Sequence, residues 1–150
     1  MRNRTFPQAN NLDVLINVLT FLHLNDGATD KKVSEHIGYE PRQGAYYTSS
    51  CYYFDLVDEK NNLTDLAISF FSSGILQKNL LFAHIIQDPI FGDIFSNYIL
   101  KTKTNIKKYT EEIIKTYFNY SDSVVSRRAS TVLAWIKEIV IYIEMNIEKQ

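Results

Sequence analysis

Asp58-Glu59-Lys60 has the D-x-K form that, with an upstream carboxylate, can hold a magnesium ion and position water for phosphodiester cleavage. No clear upstream Pro-Asp accompanies it, and the triplet falls in a polar turn, where a charged hairpin tip explains it better. His23, His36 and His84 do not pair with another ligand at metal spacing. His84 lies in an apolar stretch suited to a core imidazole with its nitrogens satisfied. The single cysteine, Cys51, excludes an internal disulfide framework and a cysteine-rich zinc site. It also falls on the expected core face of a helix, which argues against a nucleophile. The five glycines are scattered, so no phosphate-cradling loop forms. We therefore expect no catalytic residue, metal site or cofactor.

Residues suited to binding are more prominent. The segment 40–54 reads "EPRQGAYYTSSCYYF". On a helix, Gly44, Tyr47, Cys51 and Phe54 share one face and would point to the core. Arg42, Gln43, Tyr46, Ser49, Ser50 and Tyr53 fall on the opposite face. An arginine can bind guanine bidentately and a glutamine adenine, while Ser and Tyr hydroxyls reach phosphates. Small residues at 49 and 50 keep the helix slim enough for a major groove. A shallow core edged with tyrosine hydroxyls, or a protein interface, is the competing use of the same residues.

A second segment divides the same way. Val125, Ala129, Val132 and Ile136 face inward, and Ser123, Ser126, Arg127, Ser130, Thr131 and Lys137 face outward, with Arg128 flanking. From Lys101 to Arg128, five lysines and two arginines stand against three carboxylates, a local excess of +4. Such an excess supports phosphate contact. A solvated surface with helix-pairing charges is the alternative.

These side chains need helices to hold them. Asn11–Leu24 carries Leu12, Leu15, Ile16, Leu19 and Leu22 along one stripe. Thr29 or Asp30 can cap a short helix over 31–37, closed by Gly38, and Pro41 opens the helix of the quoted segment. Asp55–Val57, the turn 58–62 and Leu63-Thr64 predict a hairpin with Lys60 at its tip. A helix capped by Thr64 or Asp65 follows. "SSG" at 72–74 is the expected internal boundary. Helices over 75–87, 90–100, through Ile113, Ile114 and Phe118, and from Ser123 onward make up the rest; the tail "VIYIEMN" suits helix or strand. The order predicts a mainly α protein, a tandem winged helix-turn-helix with a small β-hairpin wing, divided as 1–74 and 75–150.

Composition sets the outer limits. With 45% hydrophobic residues in 150, a buried core is expected. The formal net charge of −1 means that any nucleic-acid contact must come from a local patch. No signal-peptide stretch and no membrane-length apolar run are apparent, so a cytoplasmic protein without membrane contact is expected.

"IGYEPRQGAYYTSSCYYFDLV", "LTDLAISFF", "DPIFGDIF" and "SRRASTVLAWIKEI" together resemble a bacterial tandem winged-helix region associated with type II restriction enzymes. The resemblance spans about Phe6 to Ile139, and the "RRASTV" block with Trp135 is its most specific part. Two departures stand out: Asp55 where a glycine is expected before "LV", and Ala67-Ile68 where Leu-Gly is expected. The resemblance implies DNA recognition in a restriction-modification setting and does not imply that this chain cuts DNA. Double-stranded DNA is the expected partner, with a second copy of the chain or a covalently linked nuclease domain as further candidates. A transcriptional regulator and a winged-helix interaction or dimerisation module are the competing classes.

Overall fold

The computed structural model describes residues 4–148. They are mainly helical, with eight α-helices and one small antiparallel sheet of two strands. They form two compact units, one running to His84 and the other starting at Ile85.

In the first unit, α1 (Leu12–Leu24) packs against α2 (Asp30–Ile37) and α3 (Pro41–Tyr53). Asn11 caps α1 by accepting the Val14 N–H, and Thr29 caps α2 by accepting the Lys32 N–H. Both satisfy donors that a helix start leaves without partners. Gly38 closes α2 at φ 72, a left-handed position that a Cβ would strain. Leu12, Leu15, Leu19 and Leu22 are buried as expected; Ile16 is half-buried, and Val18 takes the core position beside it.

The expected hairpin at 55–64 is reduced to a single bridge, Val57 to Leu63. Asp58 shapes its turn by accepting the Lys60 and Asn62 N–H groups. Asp55 has φ 58, in the left-handed region that a glycine adopts without strain. Thr64 caps α4 (Asp65–Ser69). Ser72–Gly74 proves not to be a boundary. Phe71–Ser72 (β1) pairs with Ile75–Leu76 (β2), and Ser73 and Gly74 form their turn at φ 51 and 76. The polar, glycine-bearing signal was a hairpin turn, so the division lies further on, within α5 (Lys78–Ile86).

The second unit contains α6 (Pro89–Leu100), α7 (Ile106–Tyr117) and α8 (Asp122–Glu148). Asp88 caps α6 by accepting the Ile90 and Phe91 N–H groups. Phe91 reaches Trp135 with ring centroids 5.5 Å apart. Ile94, Ile114, Val125, Ala129, Val132 and Ile136 complete the core with no exposure. Tyr109 Oη donates to Asp93 Oδ1 at 2.8 Å and ties α7 to α6; that bond pushes the phenol above its ordinary pKa. The tail "VIYIEMN" continues α8 as helix.

Candidate nucleic-acid interface

The seat of α3 follows from one glycine and one serine. A Cβ at residue 44 would collide with Ser34 Oγ and the Asp30 carbonyl oxygen. Gly44 therefore permits an approach of α2 to α3 that alanine would block. Ser34 Oγ uses the space: it donates to the Pro41 carbonyl at 2.8 Å and accepts the Gly44 N–H at 2.9 Å. On the same side, the Asp30 carboxylate accepts from Thr48 Oγ1 at 2.7 Å and from Asn61 Nδ2 at 2.9 Å. Asn61 Nδ2 also donates to the Ala28 carbonyl at 2.9 Å. Thr48 and Asn61 are buried, so these bonds form where water competes poorly. They fix both the distance and the rotation of α3.

That rotation decides which side chains stay outside. Arg42 is exposed, and Gln43, Tyr46 and Ser49 are half-exposed. The Arg42 guanidinium lies over the Tyr46 ring, 5.9 Å from its centroid. Two expected contact residues move to the scaffold. Ser50 is fully buried, and its hydroxyl donates one turn back to the Tyr46 carbonyl of α3 at 2.9 Å. Tyr53 is half-buried, edge-on to Phe6 at 5.4 Å and to Phe54 at 4.9 Å, so its ring serves packing. Lys60 is exposed at the 58–62 turn.

In α8, Ser123, Arg127 and Ser130 are exposed and Ser126 is half-exposed. Thr131, expected outward, is buried and donates to the Arg127 carbonyl at 3.3 Å. Arg128 is half-buried with its guanidinium 5.6 Å from the centroid of Tyr120. The block that carries the resemblance is thus mostly scaffold: Ala129, Thr131, Val132 and Trp135 are buried, while Arg127 and Ser130 face out. Lys101, Lys103, Lys107 and Lys108 are exposed upstream. Lys115 pairs with Asp122 at 3.1 Å.

Three features escaped sequence reasoning. Arg4 pairs with Asp55 and lies over Tyr52, a contact across 51 positions of chain that no local pattern announces. Exposed Tyr39 sits beside Tyr47, with centroids 6.1 Å apart. Lys31 and Lys32 are exposed in the first turn of α2, and their adjacency was the available signal.

The D-x-K triplet is occupied locally. Asp58 accepts bonds from the Lys60 and Asn62 backbone and, through Oδ2, from Asn62 Nδ2 at 3.0 Å. The Asn62 side-chain bond, then its N–H, holds the Asp58 carboxyl below its ordinary pKa. Among the described residues no group of three His, Cys, Asp or Glu side chains could hold a metal ion. Cys51 is buried, and the His84 Nε2–H donates to the Phe54 carbonyl at 2.7 Å. Among the described residues no helix is long and apolar enough to cross a membrane.

What these features define is a mainly helical chain that presents a polar, aromatic helix face. A family model described as "Domain of unknown function (DUF7226)" matches residues 14–144, and the chain belongs to that family. Comparison with curated proteins and with solved structures gives no match.

Proposed function

We propose that this chain is a sequence-specific duplex DNA-binding module, a tandem winged helix-turn-helix that serves as the recognition part of a type II restriction-modification system. The observation that carries the reading is the locked α2–α3 pair. Its buried bonds turn Gly44, Tyr47 and Cys51 inward and leave Arg42, Gln43, Tyr46 and Ser49 together outside. A rigid helix with a guanidinium, a carboxamide and hydroxyls on its free face has the donors and acceptors to read base edges. The Val57–Leu63 bridge after three helices, and the β1–β2 hairpin after α4, support the winged reading. Arg127, Ser130 and the exposed lysines of the second unit would add phosphate contacts. Asp58 is committed to its own turn, so the module is assigned recognition and no cleavage.

The test is selection of binding sites from random duplexes at fixed salt, followed by Arg42→Ala/Gln43→Ala. The double variant should keep its fold and lose site preference, at about 1–3 kcal/mol for each bidentate contact removed. A variant that binds the selected site unchanged, or a wild type that selects no site, sinks the reading.

A further inference from the structure

The last third of α8 behaves differently from the rest of its unit. At about 1.5 Å per residue, its 27 residues make a rod of about 40 Å, against about 18 Å for the 12 residues of α6 or α7. The fully buried positions of α8 end at Ile139. The apolar pattern does not end there: Val140, Ile141, Ile143, Met145 and Ile147 follow. Ile141 is 54% exposed, Met145 53% and Ile147 65%. Beyond the buried Ile136, half-buried Val140 and Ile143 and exposed Ile147 continue its stripe at the four-and-three spacing of a helix-pairing seam. The end of α6 adds Ile99 and Leu100, 45% and 70% exposed. A groove of about 380 Å³ lies between these two helix ends, lined by Ile99, Lys101, Lys103, Ile106, Val140 and Glu144 among others.

We infer that this face is a two-fold contact surface for a second copy of the chain, with the ends of the two α8 helices crossing antiparallel near Val140 and Ile141. The charges choose the occupant and the direction. Lys137 and Glu144 are seven residues apart and so share a face of α8 with Val140 and Ile141 between them. Both are exposed. A two-fold centred between residues 140 and 141 sets Lys137 of each copy opposite Glu144 of the other. A parallel crossing would set lysine against lysine and glutamate against glutamate. One patch thus carries an apolar centre and both signs of charge in the order that a self-complementary contact requires. The inference is independent of DNA binding.

Sedimentation equilibrium of the full chain over about 1 to 100 µM reads it directly, the range in which a small helix-pairing interface dissociates. The wild type should show a monomer–dimer equilibrium. Ile141→Glu should weaken it at least about ten-fold with an unchanged melting temperature, since the side chain is half-exposed in the monomer. Lys137→Glu and Glu144→Lys should each weaken association, and the double reversal should restore it. These charge variants sit at exposed positions, so they test the surface even if Ile141→Glu disturbs the helix. A wild type that stays monomeric throughout would overturn the inference and give the face to another polypeptide. A dimer indifferent to Ile141→Glu, or a double reversal no better than the singles, would overturn it as well.

Discussion

The two units hold their outward-facing helices by different means. In the first, α3 is seated by directional bonds: Ser34 to Pro41 and Gly44, and Asp30 to Thr48 and Asn61. In the second, α8 is seated by apolar contact, with Trp135 against Phe91 and with Val132, Ile136 and Ile114 in the same core. Hydrogen bonds specify rotation, because a small turn of the helix breaks them. Apolar packing specifies proximity and tolerates more adjustment. Under the proposed reading the two anchorages suit different tasks: reading a base edge needs a side chain aimed within a narrow angle, whereas contact with a phosphate does not.

The largest effect that tests this contrast should come from Trp135→Ala. Deleting a fully buried indole should cost about 3–5 kcal/mol, and amide exchange should show the loss first in α6, α7 and α8. Equal loss of protection in α1, α2 and α3 would break the distinction between the units. Gly44→Ala comes next. Its Cβ has to displace Ser34 Oγ or the Asp30 backbone, an overpacking expected to cost about 1–3 kcal/mol. A thermal melt within error of wild type would show that the α2–α3 seat is looser than the hydrogen bonds imply.

Smaller effects should separate contact from scaffold within α8. Arg127→Ala should leave the melting temperature unchanged and lower the slope of log K against log salt by about 1. Arg128→Ala should lower the melting temperature, because its guanidinium covers Tyr120. If Arg127→Ala instead lowers the melting temperature and spares the slope, the second unit has no assigned contact left in that block. The smallest effect concerns Asp58. Its carboxyl is held below the ordinary value, so the charged form favours the folded state. That contribution is present above the unfolded pKa, near 3.8, and fades as pH falls through the lower folded value. Asp58→Asn should therefore flatten the acid side of a plot of melting temperature against pH. An identical acid limb in both proteins would remove the turn from the list of stabilising features.

The helices of this protein were legible because their signals are local. Thr29 and Gly38 mark helix ends through bonds that involve residues three or four positions away. The inner faces of α3 and α8 were legible for the same reason: Gly44, Tyr47, Cys51 and Phe54, and Val125, Ala129, Val132 and Ile136, repeat at the helical period and are all buried. The hairpins were less so. Two-residue strands carry no periodicity, and Ser72-Ser73-Gly74 has the same composition in a turn as in a linker.

The sequence by itself determined the helical content, the capped ends and the core stripes, since each depends on neighbours along the chain. Only the tertiary structure decided which outward positions are outward. Ser50 and Thr131 lie at the border of a helical wheel, where the span of the neighbouring element settles their exposure, and both are covered. Arg128 was equally ambiguous until Tyr120 proved to lie beneath it. The Asp30–Thr48–Asn61 network joins residues 18 and 31 positions apart. No spacing rule reaches across such distances: the bonds exist because Gly44 lets α2 and α3 approach closely enough to bring those groups together.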